Sequence, residues 1–216
     1  MIAIFGGTFD PLHLGHLRVA WEASETLQCP VRLVPARIPP HREQPVADAS
    51  QRTAIVRAAL AGQQRLLLDT RELDRDAPSW SVDTLLSLRS ETGDKTPLVL
   101  LVGADAFSGL PKWHRWQELL ALAHIGVLTR PGHAGDLPQA LLDAFPDCAC
   151  DSAQALHACA AGRVLHMPVT PLDISASQIR HLLASGREPR YLVADAVLEQ
   201  PDLLAPYRQG GRGPSA

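Results

Sequence analysis

Apolar positions along the chain fall into two rhythms. Short runs at residues 2–5, 31–34, 66–68, 98–102, 125–128 and 164–167, interrupted by a polar side chain only at Arg32 and His166, have the length and the β-branched or leucine-rich make-up of strands buried on both faces. Between them, residues 14–28, 51–61, 82–91, 116–123, 137–144 and 176–184 carry apolar side chains at helical spacing. Ser50 and Ser81 are candidate N-caps, and Gly62 and Gly93 candidate stops. Alternating strands and helices predict an α/β fold with a doubly wound parallel sheet. No repeat or linker divides the pattern, so residues 1–207 read as a single domain. Residues 208–216, with three glycines and no large apolar side chain, read as a disordered tail.

Such a sheet binds ligands beyond the carboxyl ends of its strands, where the strand order reverses. The segments after the runs, at 6–16, 35–42, 69–81, 103–113, 129–133 and 168–180, are rich in Gly, Pro, His and Arg and longer than plain connectors require. Composition narrows the ligand. With 46% hydrophobic residues, 20% charged residues and a net charge of -3, the chain lacks the basic surface that a nucleic acid or an anionic membrane demands. Small phosphates remain open, and among the 20 basic residues Lys occurs only at positions 95 and 112, so guanidinium forks or backbone amides are expected to hold them. The apolar run at residues 1–5 is too short for a signal-peptide core, and no stretch approaches the roughly 20 residues of a membrane span. A cytoplasmic location is therefore expected, with Cys29, Cys148, Cys150 and Cys159 as thiols.

The first run leads directly into Gly6-Gly7-Thr8-Phe9-Asp10-Pro11-Leu12-His13-Leu14-Gly15-His16 and then a helix. Glycines before a helix N-terminus let a phosphate approach backbone amides and the positive end of the helix dipole. Neither the Gly-Lys-Ser/Thr ending of a Walker loop nor the Gly-x-Gly-x-x-Gly dinucleotide pattern is present. His13 and His16, three apart, share one helix face. On the residues alone they could grip a phosphate, form half of a metal site with Asp10 as a third ligand, or be an ordinary structural pair. Asp10 before Pro11 also suits turn chemistry. Near the other end, Ser175 with Gln178 fits a capping box, and Arg180 one turn on could reach an anion at that helix start. Cys148, Cys150, His157, Cys159 and His166 could be assembled into a zinc site, though their spacing fits no standard pattern. Asp83 and Thr84 could simply cap a helix, and Trp116 reads as core packing.

The eleven-residue string resembles the ATP-binding signature of the nucleotidyltransferase superfamily, whose hallmark is His-x-Gly-His after a glycine-bearing loop. Ile174-Ser175-Ala176-Ser177-Gln178-Ile179-Arg180 resembles the Ile-Ser-Ser-Thr-x-Ile-Arg motif of its adenylyl-transferring members, with Ala176 for the second Ser and Ser177 for Thr. Pro39-Pro40-His41-Arg42 resembles the Pro-Pro-His-Lys loop of bacterial nicotinate-nucleotide adenylyltransferases. Ser79-Trp80-Ser81-Val82-Asp83-Thr84-Leu85 resembles their Ser-Tyr-Thr-x-Asp-Thr-Leu. Gly103-Ala104-Asp105 with Trp113 resembles their Gly-x-Asp segment and following tryptophan. Arg42 for Lys and Trp80 for Tyr are departures that keep cationic or aromatic character.

The resemblance implies a Rossmann-like single domain that transfers the adenylyl group of ATP, carried with Mg²⁺, to nicotinate mononucleotide, giving deamido-NAD and pyrophosphate in NAD biosynthesis. It implies His13, His16 and Arg180 as catalytic residues. ATP would be bound by Gly6, Gly7, Thr8, Phe9, His13, His16, Gly103, Asp105, Ile174, Ser175 and Arg180. The acceptor would meet Arg42, Thr84, Asp105 and Trp113, with Trp113 stacked on the pyridine ring and backbone groups near Thr84 reading its carboxylate. No protein ligand for a metal is assigned. The alternatives are transfer to phosphopantetheine or to nicotinamide mononucleotide, and a non-catalytic nucleotide-binding protein.

Overall fold

A computed structural model describes residues 1–39, 44–129 and 137–208. Arg42 and residues 209–216 of the expected tail lie outside the described residues. Within them the chain forms β1 (Ile2–Gly7), α1 (Leu14–Leu27), β2 (Val31–Pro35), α2 (Ala49–Ala59), β3 (Leu66–Leu68), α3 (Ser81–Thr92), β4 (Leu98–Gly103), α4 (Ala104–Ser108), α5 (Trp116–Leu122), β5 (His124–Thr129), α6 (Gln139–Ala144), β6 (Ala149–Cys150), α7 (Ala153–His157), β7 (Val164–Pro168), α8 (Ala176–Ala184), α9 (Asp195–Leu198) and α10 (Ala205–Arg208). Every apolar run forms its strand. β6 and the short helices α4, α7, α9 and α10 were not expected, because elements of two to five residues are too brief to display a hydrophobic period. Arg208, assigned to the tail, ends α10.

The strands make one parallel sheet in the order β3-β2-β1-β4-β5-β7-β6. Both faces are covered, which is why the strands read as near-continuous apolar runs rather than as alternating ones. Ala3, Leu33, Val99, Leu101 and Met167 face α1, α2 and α8–α10 through Ala23, Leu27, Ile55, Ile179, Val197 and Tyr207. Ile4, Val34, Leu100, Val102 and Val127 face α3–α5 through Leu85, Leu88, Phe107 and Leu119.

Two capping expectations are corrected. Asp48, not Ser50, caps α2: its carboxylate accepts from the Gln51 amide at 2.8 Å while the Gln51 side chain accepts from the Asp48 amide at 3.0 Å. This reciprocal pair satisfies two otherwise orphaned donors, which a lone Ser50 inside the first turn cannot do. Ser81 is the first residue of α3, whose N-cap is Trp80 with no side-chain cap hydrogen bond. Gly93 does end α3, with φ +79°. Gly62, at φ +78°, lies two residues beyond the α2 C-cap, Leu60.

The strand order reverses between β1 and β4. Their ladder ends at Phe5 opposite Leu101, yet each strand runs two residues further, to Gly7 and Gly103. A cleft between two glycine-ended strands is where an open α/β sheet receives a ligand.

Candidate active site

The loop between β1 and α1 is shaped by its glycines in two ways. A Cβ on Gly6 would meet nothing within 4 Å, so the backbone there is open to a ligand. Gly7 serves a different end. A Cβ on it would come within 2.6 Å of the Phe9 ring, and Phe9, in the left-handed region at φ +49°, is turned inward and buried. There it meets His16 edge-on at 5.2 Å and Phe5 at 6.0 Å.

His13 is the N-cap of α1 and His16 lies in its first turn. Their rings stack with centroids 3.7 Å apart and planes 30° apart, as three-residue spacing on a helix predicts. The His13 amide points to His16 Nδ1 at 3.4 Å. His13 is 7% exposed, and its Nδ1 is buried without a hydrogen-bond partner. Burial pushes its pKa down to about 4, so the imidazole is neutral at physiological pH. Gly15 is required by this arrangement, since a Cβ there would lie 2.9 Å from His13 Nδ1.

The second motif docks onto the first. Arg180 of α8 donates through Nη1 to the Asp10 carbonyl at 2.7 Å and through Nη2 to Ser177 Oγ at 3.1 Å. The Ile174 carbonyl approaches Gly15, 3.6 Å from where its Cβ would stand. Ser175 caps α8, accepting from the Gln178 amide at 3.1 Å. The two motifs, joined by a bond that spans 170 positions of chain, thus meet at Asp10 and at Gly15.

Asp10 itself is no free metal ligand. Its carboxylate accepts from the Val46 and Ala47 amides at 2.9 and 3.1 Å and from the Tyr207 hydroxyl at 2.8 Å. Among the described residues no group of three His, Cys, Asp or Glu side chains is arranged to hold a metal ion, so Cys148, Cys150, His157, Cys159 and His166 do not assemble into a zinc site.

Across the switch point, Gly103 ends β4 and a Cβ on it would meet open space. Asp105 is exposed in the first turn of α4. Trp113 is half-buried, packing one side against the α3–α5 core. Thr84 is buried in α3, its hydroxyl donating to Glu72 at 2.5 Å and accepting from Arg75 at 2.6 Å. Its side chain is therefore committed to the fold, and its amide donates to the Trp80 carbonyl at 3.2 Å. Burial raises the pKa of Glu72. Trp80 stacks on His114 with centroids 4.8 Å apart.

The cytidylyltransferase-like family profile matches residues 4–182. Among curated relatives, a protein of Pseudomonas syringae pv. tomato named probable nicotinate-nucleotide adenylyltransferase is 48% identical over 208 residues, covering 96% of this chain and 93% of its own. A protein of the same name from Pseudomonas aeruginosa is 47% identical and covers 96% and 97%. The chain belongs to the nicotinate-nucleotide adenylyltransferase family. Among solved structures, the Plasmodium falciparum nicotinic acid mononucleotide adenylyltransferase complexed with NaAD superposes with a TM-score of 0.66 at 15% identity, covering 94% of this chain and 96% of that one. At that identity the likeness concerns the fold.

Within this family frame, the motifs do not reveal the residues that hold the loop. Arg52 of α2 is 1% exposed. Its guanidinium donates to the carbonyls of Thr8 at 2.5 Å, Ala36 at 2.7 Å, Ala47 at 3.1 Å and Arg37 at 3.4 Å. In sequence it looks like one more solvated helix arginine. A fully buried Arg stays favourable only because each donor finds a carbonyl.

Proposed function

We propose that this protein transfers the adenylyl group of MgATP to nicotinate mononucleotide, yielding nicotinate adenine dinucleotide and pyrophosphate in NAD biosynthesis. The observation that carries the reading is the stacked His13–His16 pair at the start of α1, with Arg180 docked onto the same loop at the sheet's switch point. Family membership and the open backbone at Gly6 and Gly103 support it.

The acceptor's 5'-phosphate, already close to doubly ionised at neutral pH, attacks the α-phosphorus of ATP. The bond to the bridging oxygen breaks and pyrophosphate leaves with the electron pair. No general base is needed, and the protein's task is alignment and neutralisation of charge. His13, kept neutral by burial, and His16 donate hydrogen bonds to the triphosphate as charge builds, aided by amides at Thr8 and Phe9. Arg180, with Ile174 and Ser175 at the start of α8, faces the departing pyrophosphate. Asp105 takes ribose hydroxyls beside Gly103. Trp113 offers its open side to the pyridine ring, backbone groups near Thr84 meet the carboxylate, and Arg42 takes a phosphate. Mg²⁺ bound to ATP would add neutralisation of the phosphate charge, and no protein ligand is assigned to it. The carboxylate nearest the His pair, Asp10, has both oxygens engaged by protein donors. The cytoplasm is the proposed setting, consistent with four cysteines present as thiols; among the described residues no helix is long and apolar enough to cross a membrane.

Pyrophosphate release from ATP with nicotinate mononucleotide, nicotinamide mononucleotide and phosphopantetheine as acceptors tests the reaction and its substrate together. Turnover with the first is expected. Turnover with only one of the others would replace the acceptor, and none with any would remove the activity.

A further inference from the structure

The β1–α1 loop is tied down from beneath by Arg52 and from the side by Asp10. Asp10 is a junction of four segments. Its carboxylate collects the Val46 and Ala47 amides ahead of α2 and the Tyr207 hydroxyl of α10, while its carbonyl collects the Arg180 guanidinium of α8. Two of these bonds belong to the loop's anchoring against α2. The Tyr207 bond differs, because it comes from α10, 197 positions along the chain, and because it falls on the same residue whose carbonyl holds Arg180. Tyr207 is 3% exposed, and its ring belongs to the core that includes Ile179 and Leu183 of α8. One side chain therefore packs in the same core as α8 and bonds the residue that receives that helix's arginine.

We infer that Tyr207 is a positioning residue for adenylyl transfer: by donating to Asp10 Oδ1 it fixes the Asp10 carbonyl that holds Arg180, and so sets where that guanidinium meets the phosphates of ATP. This role presupposes the adenylyl-transfer reading above. Burial, followed by the neighbouring Asp10 carboxylate, pushes the phenol's pKa far up, so the hydroxyl keeps its proton and remains a donor throughout the working range. An arginine with rotatable bonds gains precision when a carbonyl fixes one of its nitrogens, and a displacement of about 1 Å at such a group is worth up to ~100-fold in rate.

The test is Tyr207→Phe in the full chain, which keeps the ring in its core site and deletes only the donor. Turnover is measured with each substrate varied, at a temperature well below unfolding, and the affinity for a non-hydrolysable ATP analogue is measured by calorimetry. The expected result is a loss of about fivefold to twentyfold in kcat/KM for ATP and weaker analogue binding, with the acceptor KM within about twofold. In an Arg180→Ala background the same change should add less than about twofold, because two residues acting through one contact are not additive. Unchanged ATP parameters in Tyr207→Phe, or a loss of equal size with Arg180 absent, would overturn the inference; so would a fall in melting temperature alone. A wild-type protein that forms no dinucleotide overturns the reaction, and the calorimetric pattern still decides the role of Tyr207.

Discussion

The two sides of the switch point are built from different interactions. On the β1–α1 side the loop is held by buried hydrogen bonds between side chains and backbone: Arg52 to four carbonyls, Asp10 to two amides, and Arg180 to the Asp10 carbonyl. On the α3–α5 side, Arg89 is buried and bonded to backbone carbonyls in the same way, but the rim that borders the cleft carries exposed ion pairs, such as Arg115 with Glu118 and Asp83, and Arg37 with Asp76. Around them lie aromatic contacts and, beside the longer α3, the short helices α4 and α5. Buried hydrogen bonds tolerate little displacement, since an orphaned donor costs about 1–3 kcal/mol. Exposed ion pairs contribute ~0–1 kcal/mol each and are screened by salt. In the proposed reaction a stiff face, the loop, meets the triphosphate, and a more adaptable face, the rim, meets the acceptor.

Removing a donor from the stiff face should have the largest effect. His16→Ala is expected to lower kcat by ~100-fold or more with little change in ATP affinity, because the donor acts chiefly as charge develops. Steady-state kinetics on the folded variant check it, and near-normal turnover would take His16 out of the chemistry. Gly15→Ala probes the same face more finely. Ala is favoured over Gly inside a helix by ~1 kcal/mol, so a purely helical view predicts a more stable and equally active enzyme. Collision of the new Cβ with the His13 ring instead predicts a fall in kcat of about tenfold without a lower melting temperature.

The adaptable face should respond through one substrate. Trp113→Ala is expected to raise the acceptor KM by about tenfold, from lost stacking worth ~1–3 kcal/mol, and to leave the KM for ATP unchanged. Trp113→Phe should recover most of this. A drop in melting temperature with an unchanged acceptor KM would make Trp113 a core residue only. The smallest effect is on acid stability. His13 is depressed to about 4 from 6.5, and His124, buried beneath the Cys159 carbonyl, is also lowered. Both are held neutral in the fold, so their contribution is whole above pH 6.5 and is lost as the pH falls, through about 4 for His13. Melting temperatures between pH 7 and pH 4 should decline, and His13→Asn should flatten part of the decline.

What was legible in the sequence divides along physical lines. Strands of three to six residues buried on both faces announce themselves as apolar runs, and His13, His16 and Ser175 sit in contiguous motifs whose geometry one helix turn dictates. Arg52, Asp10 and Tyr207 act through contacts that reach across as many as 197 positions of chain, and nothing local distinguishes them from a solvated arginine, a turn aspartate and an ordinary core tyrosine. Gly7 was legible as a glycine that mattered, and the structure adds the Phe9 ring as the neighbour that its missing Cβ accommodates.

The bonds from Arg180 and Tyr207 to Asp10 also bear on how the enzyme comes into being. The β1–α1 loop is synthesised 170 and 197 positions ahead of its partners Arg180 on α8 and Tyr207 on α10. At ~5–20 residues per second the loop waits roughly 10–40 s for them. Synthesis therefore delivers strands before it delivers the bonds that fix Asp10, and under the proposed reaction nascent chains interrupted ahead of α8 would handle ATP poorly.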